Sequence, residues 1–173
     1  QRNSIDNPLY TRKGSQFMFS VAATPPWSLW DGKDYKNMSD QDEAKFRMIE
    51  YHKWKFKAKI FSPLAPLTVK RTPVLMTRVE YGFLGSYNKY KKSPFETFYM
   101  GGDGMSGYSS TYATETIGLG GYENGSIAGN GGYNSYGYAY SRLSMELRYP
   151  FLLEPSSTIY GLVFVEAGNA WRD

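Results

Sequence analysis

From Lys53 to Ile60 the chain alternates lysine with an apolar residue. Lys53, Lys55, Lys57 and Lys59 fall on one side, and Trp54, Phe56, Ala58 and Ile60 on the other. A period of two is that of a β-strand, whose successive side chains point to opposite faces. Four ammonium groups cannot line a dry core, because an unpaired buried charge is strongly unfavourable. This strand, over about 49–61, therefore has one wet face and one apolar face.

The same counting predicts four more strands. Over 15–23, Phe17, Phe19, Val21 and Ala23 oppose Gln16, Met18, Ser20 and Ala22. Over 73–83, Leu75, Thr77, Val79, Tyr81 and Phe83 oppose Val74, Met76, Arg78, Glu80 and Gly82. Over 136–149, Leu143, Met145, Leu147 and Tyr149 oppose Arg142, Ser144, Glu146 and Arg148. Over 158–168, Ile159, Val163, Val165 and Ala167 oppose Tyr160, Leu162, Phe164 and Glu166, with apolar residues on both faces near the start.

The connections alternate in length. Long loops are expected at 24–47 and 85–135, short ones at 10–14 and 150–156, with a tighter link beginning at Ser62-Pro63-Leu64-Ala65-Pro66. Within the first long loop, Ser39-Asp40-Gln41-Asp42 reads as a short helix start capped by Ser39. Long loops on one side and short turns on the other are the pattern of a membrane barrel. The polar mean hydropathy of −0.52 and the lack of a run near ~20 apolar residues exclude a spanning helix but not spanning strands. The 16 tyrosines and 18 glycines suit aromatic-rich strands joined by tight turns. The absence of cysteine removes disulfides and thiolate metal sites. Gln1-Arg2-Asn3-Ser4 has no apolar export segment, so any such signal is expected outside this sequence. Five strands fall short of the ~8 a membrane barrel needs, and an open sheet in lipid exposes unpaired backbone. The expectation is a single partial-barrel domain over 1–173, cut just after Trp171-Arg172-Asp173.

Chemistry-bearing groups were weighed against simpler roles. The lysine row could bind anionic lipid or nucleic acid, but a solvated barrel interior explains it without a ligand. His52, the single histidine, lacks the partners for zinc and suits an interface beside Trp54. Glu146 and Glu166 could form a catalytic carboxylate pair, but a structural polar network suffices. Gly101-Gly102-Asp103-Gly104 lacks the lysine and helix of a phosphate loop, and no Gly-x-Ser-x-Gly elbow is present. Tyr87, Tyr90, Tyr108, Tyr112, Tyr133, Tyr136, Tyr138 and Tyr140 could make a sugar platform, but an interfacial girdle and loop packing are the simpler assignment. No cofactor, metal or nucleic acid is expected, and no enzymatic activity.

Four motifs in order resemble the BamA-type outer-membrane protein assembly factors of the bacterial surface antigen superfamily. Asp6-Asn7-Pro8-Leu9-Tyr10-Thr11-Arg12-Lys13-Gly14-Ser15 resembles the periplasmic turn before a mid-barrel strand. Pro94-Phe95-Glu96-Thr97-Phe98-Tyr99-Met100-Gly101-Gly102 resembles the opening of that family's sixth extracellular loop. Gly118-Leu119-Gly120-Gly121-Tyr122 falls where its loop tip lies, and Phe164-Val165-Glu166-Ala167-Gly168-Asn169-Ala170-Trp171 resembles a late barrel strand.

The resemblance implies an all-β antiparallel meander, a partial transmembrane β-barrel of about five strands out of roughly sixteen, with a long extracellular loop folded inward. It implies a loop tip at Leu119, Gly120, Gly121 and Tyr122, with Gly120 where the family has an arginine. That arginine's acidic partners fall at Glu146 and Glu166. Without it, the two carboxylates need Arg78, Arg142 or Arg148 on the same lumenal face, beside the basic Lys53, Lys55, Lys57 and Lys59. Tyr122 and glycine-rich backbone are then expected to hold the loop inside. The implied function is non-enzymatic insertion of β-barrel precursors into the bacterial outer membrane. Its partners would be membrane lipid, unfolded precursors and accessory lipoproteins. The alternative from the residues alone is a soluble sheet module whose Tyr- and Trp-rich loops bind carbohydrate or protein. A superfamily barrel fused to a hydrolase is a third reading, and no nucleophile motif here speaks for it.

Overall fold

The computed structural model describes residues 1–39, 42–69, 71–104, 115–127, 136–154 and 156–172. In chain order they form β1 (Arg2–Asn3), β2 (Gly14–Ala23), a 3-10 turn (Trp27–Leu29), α1 (Glu43–Phe46), β3 (His52–Pro63), β4 (Val74–Gly85), β5 (Phe98–Met100), β6 (Glu115–Ile117), β7 (Ala139–Glu154) and β8 (Ser157–Trp171). Six strands make one open antiparallel sheet in the order β1-β2-β3-β4-β7-β8. β5 and β6 pair parallel in a separate two-stranded sheet, with Phe98 opposite Glu115 and Met100 opposite Ile117. All five expected strands are present, and the fold is all-β. β1, β5 and β6 are additions: runs of two or three residues are too short to show alternation.

Two boundaries differ for identifiable reasons. The expected connection 150–156 shrinks to residues 155 and 156, because β7 continues through Pro150 to Glu154. Proline removes a ladder donor and is tolerated where no neighbour needs it. The Tyr10 hydroxyl donates toward the carbonyls of Thr72 (3.1 Å) and Arg148 (3.3 Å). The helix α1 is capped by Asp42 and not by Ser39. The Asp42 carboxylate accepts from the Ala44 N–H at 2.9 Å, and the Ser39 carbonyl accepts from the Asp42 N–H. Asp40 and Gln41 of that expected helix start, and Asp173, lie outside the described residues, as do Tyr108, Tyr112 and Tyr133.

The chain packs as two compact units. The first comprises 1–19, 56–81 and 141–168. Its strands leave most apolar side chains of one face exposed and cover the polar face, where Val74 and Met76 are also buried. On β4, Val79 and Tyr81 are 41% and 46% exposed, while Glu80 between them is 7% exposed. Phe56, Ile60, Leu143, Leu147 and Tyr149 are likewise exposed. Tyr10 is buried, with its ring edge-on to Tyr160 at 5.4 Å. On β8, an edge strand of the described sheet, Leu162 and Phe164 are exposed along with Val163 and Val165.

The second unit comprises 20–55, 82–140 and 169–173. Its core joins Leu84, Phe98, Met100, Ile117, Leu119, Tyr140 and Ala170. Phe98 meets Tyr140 edge-to-face at 4.7 Å. Gly82 makes that contact possible, since a Cβ there would lie 2.3 Å from the Tyr140 ring. Gly82→Ala is expected to destabilise the fold by about 1–3 kcal/mol through overpacking. The urea midpoint for unfolding from lipid measures this, and an unchanged midpoint would show that the ring yields freely. His52 packs among Trp54, Phe83 and Tyr87, and its Nδ1 accepts from the Trp54 indole N–H at 3.0 Å.

Candidate functional site

The site is built where loop strands β5 and β6 meet the lysine face of β3, within the second unit. Phe98 and Met100 alternate with Tyr99, and all three are buried. The parallel pairing with β6 brings Glu115 alongside Phe98. After β5 the chain must turn sharply. Gly102 does so at φ 73, where a Cβ would fall 1.6 Å from the Asn124 side-chain oxygen. Gly102 then bridges to Leu119, which is 1% exposed.

Two loop carboxylates reach the wall from this frame. Lys53, only 5% exposed, places its Nζ 3.2 Å from Glu115 Oε2, 3.2 Å from Glu96 Oε2 and 4.8 Å from the centre of the Phe98 ring. Lys55 donates to the same Glu115 oxygen at 3.0 Å. Burial pushes the Glu115 pKa up, but the Lys55 hydrogen bond and the Lys53 and Lys55 charges outweigh it and hold the group below the ordinary carboxylate value. Glu115 is therefore ionised at neutral pH. Glu96 holds a left-handed backbone at φ 64, which non-glycine residues seldom adopt. Beside these groups, Ser20 and Ala22 help to bound a space of about 360 Å³ between wall and loop. A buried lysine shared by two acids, with a second lysine alongside, makes an ionic latch between loop and wall.

In the first unit the predicted lumenal charges pair with each other. Arg142 bonds Glu166 at 2.5 Å. Arg148 donates twice to Glu146 Oε2, at 2.9 and 2.6 Å, and Arg78 stands 4.0 Å from the other oxygen. Arg148 also lies over the Phe61 ring. Lys57 and Lys59 are half-buried on the same face of β3.

The predicted loop tip is only partly engaged. Leu119 is in the core, Gly120 and Gly121 are exposed, and Tyr122 is 57% exposed. The Tyr122 carbonyl accepts from the Gly102 N–H at 3.0 Å. Leu119, Glu96 and Glu115 also tie the loop to its surroundings. Neither glutamate was singled out for this role from sequence, because their lysine partners are far away along the chain. Of the tyrosines proposed for a girdle, Tyr140 is buried in the core, while Tyr87 and Tyr90 are exposed.

The Omp85 superfamily domain matches the chain over residues 1–173. No curated protein matches it. With alternating strands turned apolar side outward, a charged inner face and a full-length match, the chain belongs to the Omp85 superfamily, a family of outer-membrane protein biogenesis and transport whose members are outer-membrane or related barrel proteins.

Proposed function

We propose that this chain is part of an outer-membrane assembly factor that folds and inserts β-barrel precursors without bond chemistry. The observation that carries the reading is the inverted exposure of the wall. Tyr81 and Val79 stand open while Glu80 and Lys53 are covered. Water penalises such a surface, and lipid rewards it. An inward loop latched by charge gives the wall a fixed inner brace. The work of insertion would come from strand addition at an open barrel seam and from local thinning of the bilayer. On the resemblance to BamA-type factors, the seam is made by other strands of the barrel, and this chain supplies wall and loop. Unfolded precursors, outer-membrane lipid and accessory lipoproteins are the partners.

The test is reconstitution of the full-length protein in liposomes with a urea-unfolded barrel precursor and no nucleotide. Folding of the precursor, read as protease protection, is expected to run at least about tenfold faster than in empty liposomes, equivalent to about 1.4 kcal/mol of barrier. Equal rates would reject the assembly role and leave the barrel intact.

A further inference from the structure

The second unit holds another cavity, apart from the latch. It measures about 880 Å³ and lies among residues 35–39, 45, 46, 89–95, 136, 138 and 172. Small-ligand sites commonly span roughly 300–1,000 Å³.

The lining is one-signed. Lys36, Lys45, Lys89, Lys92 and Arg172 all face it, and none of its described lining residues is a carboxylate. It is also aromatic, in a repeated arrangement. Lys89 lies 4.9 Å from the Tyr90 ring centre, Lys92 5.3 Å from Tyr138, and Arg172 4.8 Å from Tyr136. Each ring also lines the cavity. Arg172 further donates to the Tyr136 hydroxyl at 3.2 Å. Tyr35 forms another part of the lining, with the buried Lys91 over its ring at 4.5 Å. Burial and the hydrogen bond to Asp31 push the Tyr35 phenol up to about 12, so it adds no negative charge.

Clustered cations in a concave wall focus positive potential and raise the local concentration of anions. The rings add a second requirement. A bare phosphate would satisfy the cations and make no use of the rings beyond the cations already lying over them. An extended nucleic acid needs a continuous cationic track along its backbone, whereas these cations gather in one half-open pocket of about 880 Å³. A sugar ring presents apolar C–H faces that stack on aromatic rings, and its acidic substituent meets the ammonium and guanidinium groups.

We infer that this cavity binds an anionic saccharide, with its phosphate or carboxylate held by Lys36, Lys89 and Arg172 and its ring stacked on Tyr90 or Tyr136. The inference rests on the proposed outer-membrane placement, in which long connections face the cell exterior. Two sources share this chemistry: the phosphorylated sugar head of an outer-leaflet glycolipid, and a soluble acidic glycan.

The experiment is isothermal titration of the full-length protein in detergent at low salt, with glucose 1-phosphate, glucose and inorganic phosphate as probes. Glucose 1-phosphate is expected to bind at least tenfold more tightly than either of the others, and to weaken as salt rises. Lys89→Gln combined with Arg172→Gln is expected to lower its affinity at least tenfold. Tyr90→Leu, which leaves every charge in place, is expected to lower it about threefold and serves if the double variant fails to fold. No binding of glucose 1-phosphate, equal binding of glucose, or full affinity in the variants would overturn the inference. Repeating the titration in nanodiscs with and without a phosphorylated glycolipid separates the sources. Loss of sugar-phosphate binding in the glycolipid discs assigns the lipid head, and retention in both assigns a soluble glycan. A preparation that accelerates precursor folding but binds no sugar phosphate sinks this inference alone. One that is not a heat-modifiable membrane barrel sinks the reading beneath it.

Discussion

Glu115→Lys is expected to detach the inward loop from the barrel wall while leaving the wall folded. The substitution removes the anion shared by Lys53 and Lys55 and sets a third cation among them. Removing one member of a buried pair costs about 3–5 kcal/mol, because the remaining charge stays desolvated. Lys53 keeps Glu96 as a second partner, so a result near the lower end is expected. In intact cells the loop should become cleavable by added protease, and precursor assembly should fall more than about tenfold, or at least about 1.4 kcal/mol. A loop as protected as in the wild type would show that the apolar core around Leu119 suffices. The acid dependence has a definite sign. The folded pKa of Glu115 lies below its unfolded value of 4.5, so the latch contributes fully above about that pH. Its contribution is lost as pH falls below 4.5 and through the lower folded value. Loop protection should therefore hold at neutral pH and fade in acid, with Glu115→Gln showing less of that dependence.

Val79→Arg is expected to do the opposite kind of damage, to membrane insertion and not to the loop. Val79 stands in the middle of β4 on the outward face. An arginine facing lipid near mid-depth costs about 2–4 kcal/mol. Folding titrations into phosphocholine vesicles should show that loss, and a second arginine at Leu147 should add to it and lower outer-membrane levels. In a water-bathed sheet the same substitution would be nearly silent, since exposed changes stay within about 0.5 kcal/mol. A neutral Val79→Arg would therefore overturn the bilayer account.

The wall was legible in the sequence because period-two alternation is a local signal. Trp54 against Lys53, and Val79 against Glu80, needed no partner strand to be placed. The pairing of Arg142 with Glu166 was within reach for the same reason, since both lie on the inner faces of adjacent strands. The latch was not legible. Glu96 and Glu115 sit in a connection without periodicity, and their pairing with Lys53 depends on a parallel contact between two three-residue strands. Tyr122 and glycine-rich backbone were expected to hold the loop inside; the bridge to Gly102 turns Leu119 into the core, and Tyr122 is largely exposed. Asp42 displaced Ser39 as helix cap because the helix begins one residue after Asp42, where only that carboxylate reaches the Ala44 N–H.

The backbone twist at Glu96 gives the loop a mechanical character. Holding a non-glycine residue at φ 64 costs on the order of 1–3 kcal/mol, which the docked carboxylate must offset. The ion pair to Lys53 and the left-handed backbone thus fall on one residue, so the loop's charge anchor and its one described left-handed bend at a non-glycine residue coincide.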